Sequence, residues 1–119
     1  MFVLKLFYVF FGGGLGSLVR YLISLSFINY KLPIATLLAN LLSCLILGIF
    51  LVGIQNHMVT DNARLLLLVG FCGGLSTFSS FSFETINLIK DGYMLYAVMN
   101  IFTSILICFT VLYFFIKNS

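Results

Sequence analysis

The chain has 119 residues, of which 62% are hydrophobic and only 8% charged, and its mean hydropathy is +1.22. A soluble domain of this size carries roughly a quarter of charged residues, so the composition excludes an ordinary soluble domain. The three cysteines (Cys44, Cys72 and Cys108) are scattered through apolar segments without metal-ligand or disulfide spacing, which indicates packing residues.

The charged residues leave three long uncharged intervals, within residues 31–61, 64–84 and 91–117. Each is near or beyond the ~20 apolar residues that span a bilayer. A fourth apolar segment, at about residues 2–28, is interrupted only by Lys5 and Arg20 and lacks a small-x-small cleavage site. We interpret it as a retained helix rather than a signal peptide. The sequence therefore predicts an all-α integral membrane protein with one domain over residues 1–119 and helices at about 3–28, 34–54, 63–90 and 93–116.

Helix one is marked by closely spaced glycines, and helix two by a row of polar residues. Helix one contains Gly12 and Gly16, a G-x-x-x-G pair whose spacing lets helices approach closely in lipid. Helix two follows Pro33, which is tolerated near a helix start. It places Thr36, Asn40 and Ser43 at helical spacings, so one face of an otherwise apolar helix is polar.

Helix three contains paired glycines, hydroxyl side chains and two phenylalanines in its middle, within residues 70–81. Glycine weakens a helix, and Ser and Thr side chains bond the backbone groups that a break releases. Irregular backbone at membrane depth survives only where protein or a water-filled path satisfies it. We therefore predict a break near residues 73–77 and interpret it as a functional signal.

Polar residues follow similar tracks on the last two helices. Phe78, Phe81, Glu84 and Thr85 form a stripe after the break, and Asn100, Ser104 and Cys108 recur at i, i+4 and i+8 on helix four. Such residues can simply join helices by hydrogen bonds worth about 1 kcal/mol each. Three tracks together with a broken helix favour a conduction path instead. Phenylalanine ring edges are electropositive, and a small anion can be bound moderately by ring edges and hydroxyl or amide donors.

The charges that flank the helices give almost no orientation bias. One side of the membrane would carry Lys5, Arg64 and Lys117, and the other Lys31 and Lys90, joined by Arg20 if that side chain snorkels. A chain that inserts both ways can assemble as an antiparallel pair. One small bundle also encloses little space, which independently favours a dimer.

Three segments together resemble the CrcB/Fluc family of fluoride channels: residues 12–21 (GGGLGSLVRY), 33–40 (PIATLLAN) and 70–84 (GFCGGLSTFSSFSFE). The resemblance covers essentially the whole chain. It implies an antiparallel dual-topology dimer with two fluoride pores and passive, selective anion exit. It also implies a structural sodium ion (Na+) at the dimer centre, held by the backbone carbonyls of Gly73 and Ser76.

The resemblance implies that Phe78, Phe81 and Asn40 line the fluoride pore, and we expect four further residues to contribute: Thr77, Ser80, Asn100 and Ser104. The chain departs from the family in carrying Ser76 and Ser80 where threonine is usual. Asn100 stands one turn before Ser104, where many members have tyrosine. Serine at position 76 should leave the sodium site intact, because the ligand there is a backbone carbonyl. Serine at position 80 keeps the hydroxyl group of threonine.

We thus expect a multi-pass cell-membrane protein that exports cytoplasmic fluoride and is not an enzyme. Its expected partners are fluoride, the bilayer, and a second copy or a divergent paralogue, with no nucleic acid. There is no G-x-x-x-x-G-K-[ST] motif for ATP and no catalytic constellation. One alternative, a small dual-topology multidrug/proton exchanger, needs an acid in helix one, which has none. Another, a non-transporting assembly subunit, leaves the helix break unexplained.

Overall fold

The computed structural model describes residues 2–29, 33–57 and 60–117, with the backbone alone for residues 54 and 55. Four helices are long and apolar enough to cross a membrane: α1 (Phe2–Ser26), α2 (Ile34–Gln55), α3 (Asp61–Lys90) and α4 (Met94–Lys117). The described part of the chain contains no strand. The predicted all-helical membrane fold is therefore confirmed. Parts of the predicted connections, residues 30–32 and 58–59, lie outside the described residues.

Helix α1 packs against the N-terminal half of α3 at its glycines. A Cβ added at Gly12 would collide with the Leu66 carbonyl oxygen, and one at Gly16 with the Phe71 carbonyl oxygen. Glycines on α3 make the approach mutual, because a Cβ at Gly74 would collide with the Gly13 backbone. The G-x-x-x-G pair thus brings α1 against α3 of the same chain, backbone on backbone.

Helix α3 is interrupted at Ser76 and Thr77, which have extended backbone (φ −79°, ψ 153° and φ −154°, ψ 121°). Before the break the chain winds as a short α-helical turn, a π-helix over Leu65–Cys72 and a last helical turn over Gly73–Leu75. After it, Phe78–Lys90 is regular α-helix. The break falls at the C-terminal edge of the predicted interval, since the glycines themselves remain helical. The π-helix was not predicted.

The interior of the helical bundle is unusually polar. Among the described residues, five buried side chains are apolar and five are polar; the polar ones are Thr36, Ser43, Thr85, Asn100 and Ser104. Large apolar side chains lie on the outside instead, for example Phe2 at 74% and Phe109 at 70% exposure. This distribution suits a protein surrounded by lipid, where polar groups must find partners inside the bundle.

Candidate functional site

The break in α3 is held by Asn40 of α2. The Thr77 N–H donates to Asn40 Oδ1 at 2.8 Å, and Asn40 Nδ2 lies 3.4 Å from the Thr77 carbonyl oxygen. In a continuous helix the Thr77 N–H would instead donate to the Gly73 carbonyl. One side-chain amide from a neighbouring helix therefore replaces the helical partner of the broken segment.

Thr77 also begins the second half of α3. Its Oγ1 accepts a hydrogen bond from the Ser80 N–H at 3.1 Å, which is an N-cap bond. In a continuous helix the Ser80 N–H would donate to the Ser76 carbonyl. Two carbonyls therefore lose the N–H donor that a continuous helix would give them. The Gly73 carbonyl loses the Thr77 N–H, and the Ser76 carbonyl loses the Ser80 N–H.

Two other carbonyls near the break, those of Cys72 and Gly74, have side-chain partners. The Cys72 carbonyl accepts from Ser43 Oγ at 2.9 Å, from Ser76 Oγ at 2.9 Å and from the Ser76 N–H at 3.0 Å. The Gly74 carbonyl accepts from Arg20 Nε at 3.1 Å. Arg20 therefore stabilises the break across the bundle. From the sequence, Arg20 was considered only as a charge that could snorkel from the end of helix one, and this role was not predicted. An arginine well inside an apolar helix was the available signal.

A cavity of about 440 Å³ opens beside the break between α2, α3 and α4, and we call it the break cavity. Two phenylalanine rings, Phe78 and Phe81, lie on its wall with centroids 5.9 Å apart and planes tilted by 39°. Phe78 is 80% exposed, so it projects from the surface of the chain. The full lining is Asn40, Cys44, Ser76, Thr77, Phe78, Phe81, Ser104, Ile105, Cys108 and Phe109. Five of the seven predicted pore residues are thus brought together here.

Ser80 lies in a different, more polar pocket of about 180 Å³ between α1, α2 and α3, near Arg20. In that pocket Thr36 Oγ1 donates to Glu84 Oε1 at 2.7 Å, while Glu84 Oε2 is buried without a hydrogen-bond partner among the described residues. Thr36 and Glu84 were predicted to lie on polar stripes, but their pairing could not be predicted because they belong to different helices.

Asn100 does not line the break cavity. It is buried, and its Nδ2 donates to Thr85 Oγ1 at 2.8 Å, whose own hydroxyl donates to the Phe81 carbonyl at 2.7 Å. Ser104 Oγ, which does line the cavity, lies 3.5 Å from Asn100 Oδ1. Asn100 thus joins α4 to the backbone that carries the Phe81 ring. Gly73 also lies outside the cavity and is exposed on the surface of the chain.

The arrangement combines electropositive ring edges with amide and hydroxyl groups, and none of the described residues on the cavity wall carries a charged side chain. Such a wall can bind a small ion with moderate affinity.

Comparison with known proteins gives a consistent result. The family described as CrcB-like protein, Camphor Resistance (CrcB), matches residues 7–115. A fluoride-specific ion channel FluC of Pyrococcus abyssi is 45% identical over 105 residues, which is 86% of this chain and 85% of the relative. The FluC of Escherichia coli K12 is 40% identical over 101 residues, which is 82% of this chain and 80% of the relative. The chain is therefore a multi-pass membrane protein that belongs to the CrcB-like family.

Proposed function

We propose that this chain forms a passive, fluoride-selective ion channel in the cell membrane and exports fluoride. The observation that carries the proposal is the break cavity, where Asn40, Phe78 and Phe81 meet beside an interrupted membrane helix. The relatives named fluoride-specific ion channels support the choice of ion. A channel conducts its substrate without chemical change, so the protein is not an enzyme.

The electrostatics of the cavity favour a small anion. The second half of α3 starts at Phe78, so the positive end of its helix dipole lies at the break. The edges of the Phe78 and Phe81 rings carry partial positive charge. Because no lysine or arginine is among the described residues that line the cavity, an anion is attracted without being held too tightly to leave.

The pore requires a second copy, in an antiparallel arrangement. The protomer measures 50 × 32 × 21 Å, and its shortest dimension is only about two helix diameters. One chain therefore has little room for an enclosed pathway. The 80% exposure of Phe78 supports the same reading, because a pore-lining ring needs another surface opposite it.

A structural sodium ion fits the two carbonyls that Thr77 deprives of their helical donors. Gly73 is exposed on the protomer surface, and no atom would lie within 4 Å of a Cβ added there. Carbonyl oxygens are suitable ligands for a hard cation. The carbonyls of Gly73 and Ser76, contributed by both copies of a dimer, would hold the ion. It would neutralise the negative ends of the carbonyl dipoles at the subunit interface.

Passive exit suffices to protect a cell. Hydrogen fluoride is a weak acid that crosses membranes in its neutral form and dissociates inside, which traps the anion. A negative interior then drives fluoride outward, with ~2.3 kcal/mol per charge for each 100 mV.

The test is fluoride efflux from liposomes that contain only this purified chain. We expect rapid efflux once the membrane potential is released by a potassium ionophore, measured with a fluoride electrode. Liposomes loaded with chloride instead should show little efflux. Equal chloride and fluoride flux would contradict selectivity, and a lack of fluoride flux from correctly assembled protein would contradict the proposed function.

A further inference from the structure

Two cysteines from different helices line the break cavity. Cys44 of α2 and Cys108 of α4 are both half-buried, and the two helices that carry them pack against each other. The third cysteine, Cys72, is buried and does not line it. Their spacing along the chain gave no indication of a pair, because the packing of α2 against α4 creates it.

The pair is positioned by the same helix faces that form the candidate pore. Cys44 follows Asn40 by one helical turn on α2, and Cys108 follows Ser104 by one turn on α4. All four residues line the break cavity. Anything bound between the two thiols therefore lies one turn from the polar groups proposed to contact the anion.

Two thiols without further ligands select a particular kind of metal ion. Among the described residues, no group of three or more Cys, His, Asp or Glu side chains could hold a metal. Zinc prefers four ligands in tetrahedral geometry, so a two-thiol site is poor for it. Soft cations prefer sulfur, and mercuric ion is stable with two thiolates in a linear arrangement.

We propose that Cys44 and Cys108 form a two-thiol site for mercuric ion on the wall of the break cavity. Binding replaces two S–H bonds by two S–Hg bonds and releases two protons, with no change of oxidation state. The product carries no net charge, because two thiolates neutralise Hg²⁺. A neutral product suits a site inside the membrane, where an uncompensated charge is costly.

The occupied site should obstruct the cavity. The metal would bridge α2 and α4 beside Phe78 and Phe81, and so both fill space and fix two helices that face the proposed anion path. This consequence rests on the proposed function, whereas the binding itself does not.

Binding is tested on the whole protein in detergent with mercuric chloride. We expect one tightly held mercury per chain and the loss of two titratable thiols per mercury. Cys44→Ser and Cys108→Ser should each lower the affinity by about 100-fold or more, since even outer-shell changes cost 10–100-fold. The matched control, Cys72→Ser, should bind like the parent chain, and zinc should not compete. Loss of one thiol per mercury, or equal weakening in Cys72→Ser, would overturn the proposal.

Fluoride efflux from liposomes gives the second readout. Mercuric ion should slow efflux in the parent chain and in Cys72→Ser, with recovery after a small dithiol removes the metal. Cys44→Ser and Cys108→Ser should resist. If the parent chain shows no efflux without metal, the proposed function fails. The number of thiols lost per bound mercury then still tests whether the metal site exists. Tight two-thiol binding with unchanged efflux would confirm the metal site and contradict the proposal that bound mercury obstructs the cavity.

Discussion

Asn40 performs two tasks through the two ends of its amide. Its Oδ1 accepts the Thr77 N–H at 2.8 Å, so the acceptor end is committed to the break. Its Nδ2 lies 3.4 Å from the Thr77 carbonyl, which is a long bond, and an amide nitrogen has two hydrogens to donate. The donor end is therefore the part of the side chain that can face an anion in the break cavity.

Asn40→Asp should abolish fluoride efflux while the protein still assembles. A carboxylate can accept the Thr77 N–H as the amide does, but it has no donor and adds a negative charge to the cavity. Liposome efflux and size-exclusion chromatography measure the two effects. Asn40→Ala is the informative companion, because it leaves the Thr77 N–H without its acceptor and should destabilise the fold by about 1–3 kcal/mol. Normal efflux in Asn40→Asp would exclude this residue from the pore.

Phe78→Ile and Phe81→Ile should each slow fluoride efflux sharply. Isoleucine keeps apolar bulk but lacks the electropositive ring edge. If the rings only fill space, such a substitution should cost under ~1.5 kcal/mol and leave flux almost unchanged. Phe83→Ile is the matched control, because Phe83 is 67% exposed and does not line the break cavity. A similar effect in all three variants would indicate a packing role.

At the scale of elements, the spans could be predicted because charge is excluded from the bilayer, and uncharged intervals mark them directly. The break could be placed only approximately. Both of its glycines stay helical, and Gly74 meets the Gly13 backbone at the contact between α1 and α3. The extended backbone falls instead at Ser76 and Thr77. The two hydroxyl residues tolerate this because they bond the backbone themselves.

Contacts between helices could not be predicted from the sequence. The pairing of Asn40 with Thr77 and of Arg20 with Gly74 depends on how the helices rotate against each other, which periodicity within one helix does not determine. The same limit explains Asn100. Its track on α4 was identified, but only the packing against α3 shows that it bonds Thr85 instead of lining the cavity.

Gly12→Ala should destabilise the protomer, whereas Gly14→Ala should not. The new Cβ at position 12 would meet the Leu66 carbonyl, which is backbone and cannot move aside, and overpacking of this kind costs typically about 1–3 kcal/mol. At Gly14 nothing lies within 4 Å, so alanine should be neutral or stabilise α1 by up to ~1 kcal/mol. Thermal unfolding in detergent compares the pair. Equal unfolding temperatures would contradict the close packing of α1 on α3.

At the scale of the whole molecule, removal of sodium should weaken the proposed dimer or abolish fluoride efflux. The proposed ligands are the carbonyls of Gly73 and Ser76, so the Ser76 side chain is dispensable for the ion. Ser76→Ala should be nearly harmless, because the Cys72 carbonyl keeps Ser43 Oγ and the Ser76 N–H as donors. The measurement compares dimer dissociation and efflux in sodium and in a large organic cation. Severe loss in Ser76→Ala with an unchanged sodium response would assign the role to the hydroxyl instead.

The assembly depends finally on how the chain inserts. With Arg20 bonded to the Gly74 carbonyl, the flanking charges count three on one side (Lys5, Arg64 and Lys117) against two on the other (Lys31 and Lys90). A difference of one is too small to fix orientation. We therefore expect both insertions in one membrane, and a C-terminal tag labelled from outside intact cells should be about half accessible.

A variant that inserts in only one orientation tests whether channel function needs chains of both orientations. Asn56→Lys with Asn62→Lys adds two positive charges at exposed positions, one in the connection between α2 and α3 and one in the first turn of α3, on the same side as both termini. This variant should insert one way only and lose efflux, because an antiparallel pair needs chains of both orientations. Co-expression with a chain biased the opposite way should restore efflux. Asp91→Lys at the connection between α3 and α4, combined with Lys5→Gln and Lys117→Gln, gives this bias, because it leaves one positive charge (Arg64) on the first side against three on the other. A single clean orientation of the parent chain would exclude an antiparallel homodimer and favour pairing with a paralogue of fixed opposite orientation.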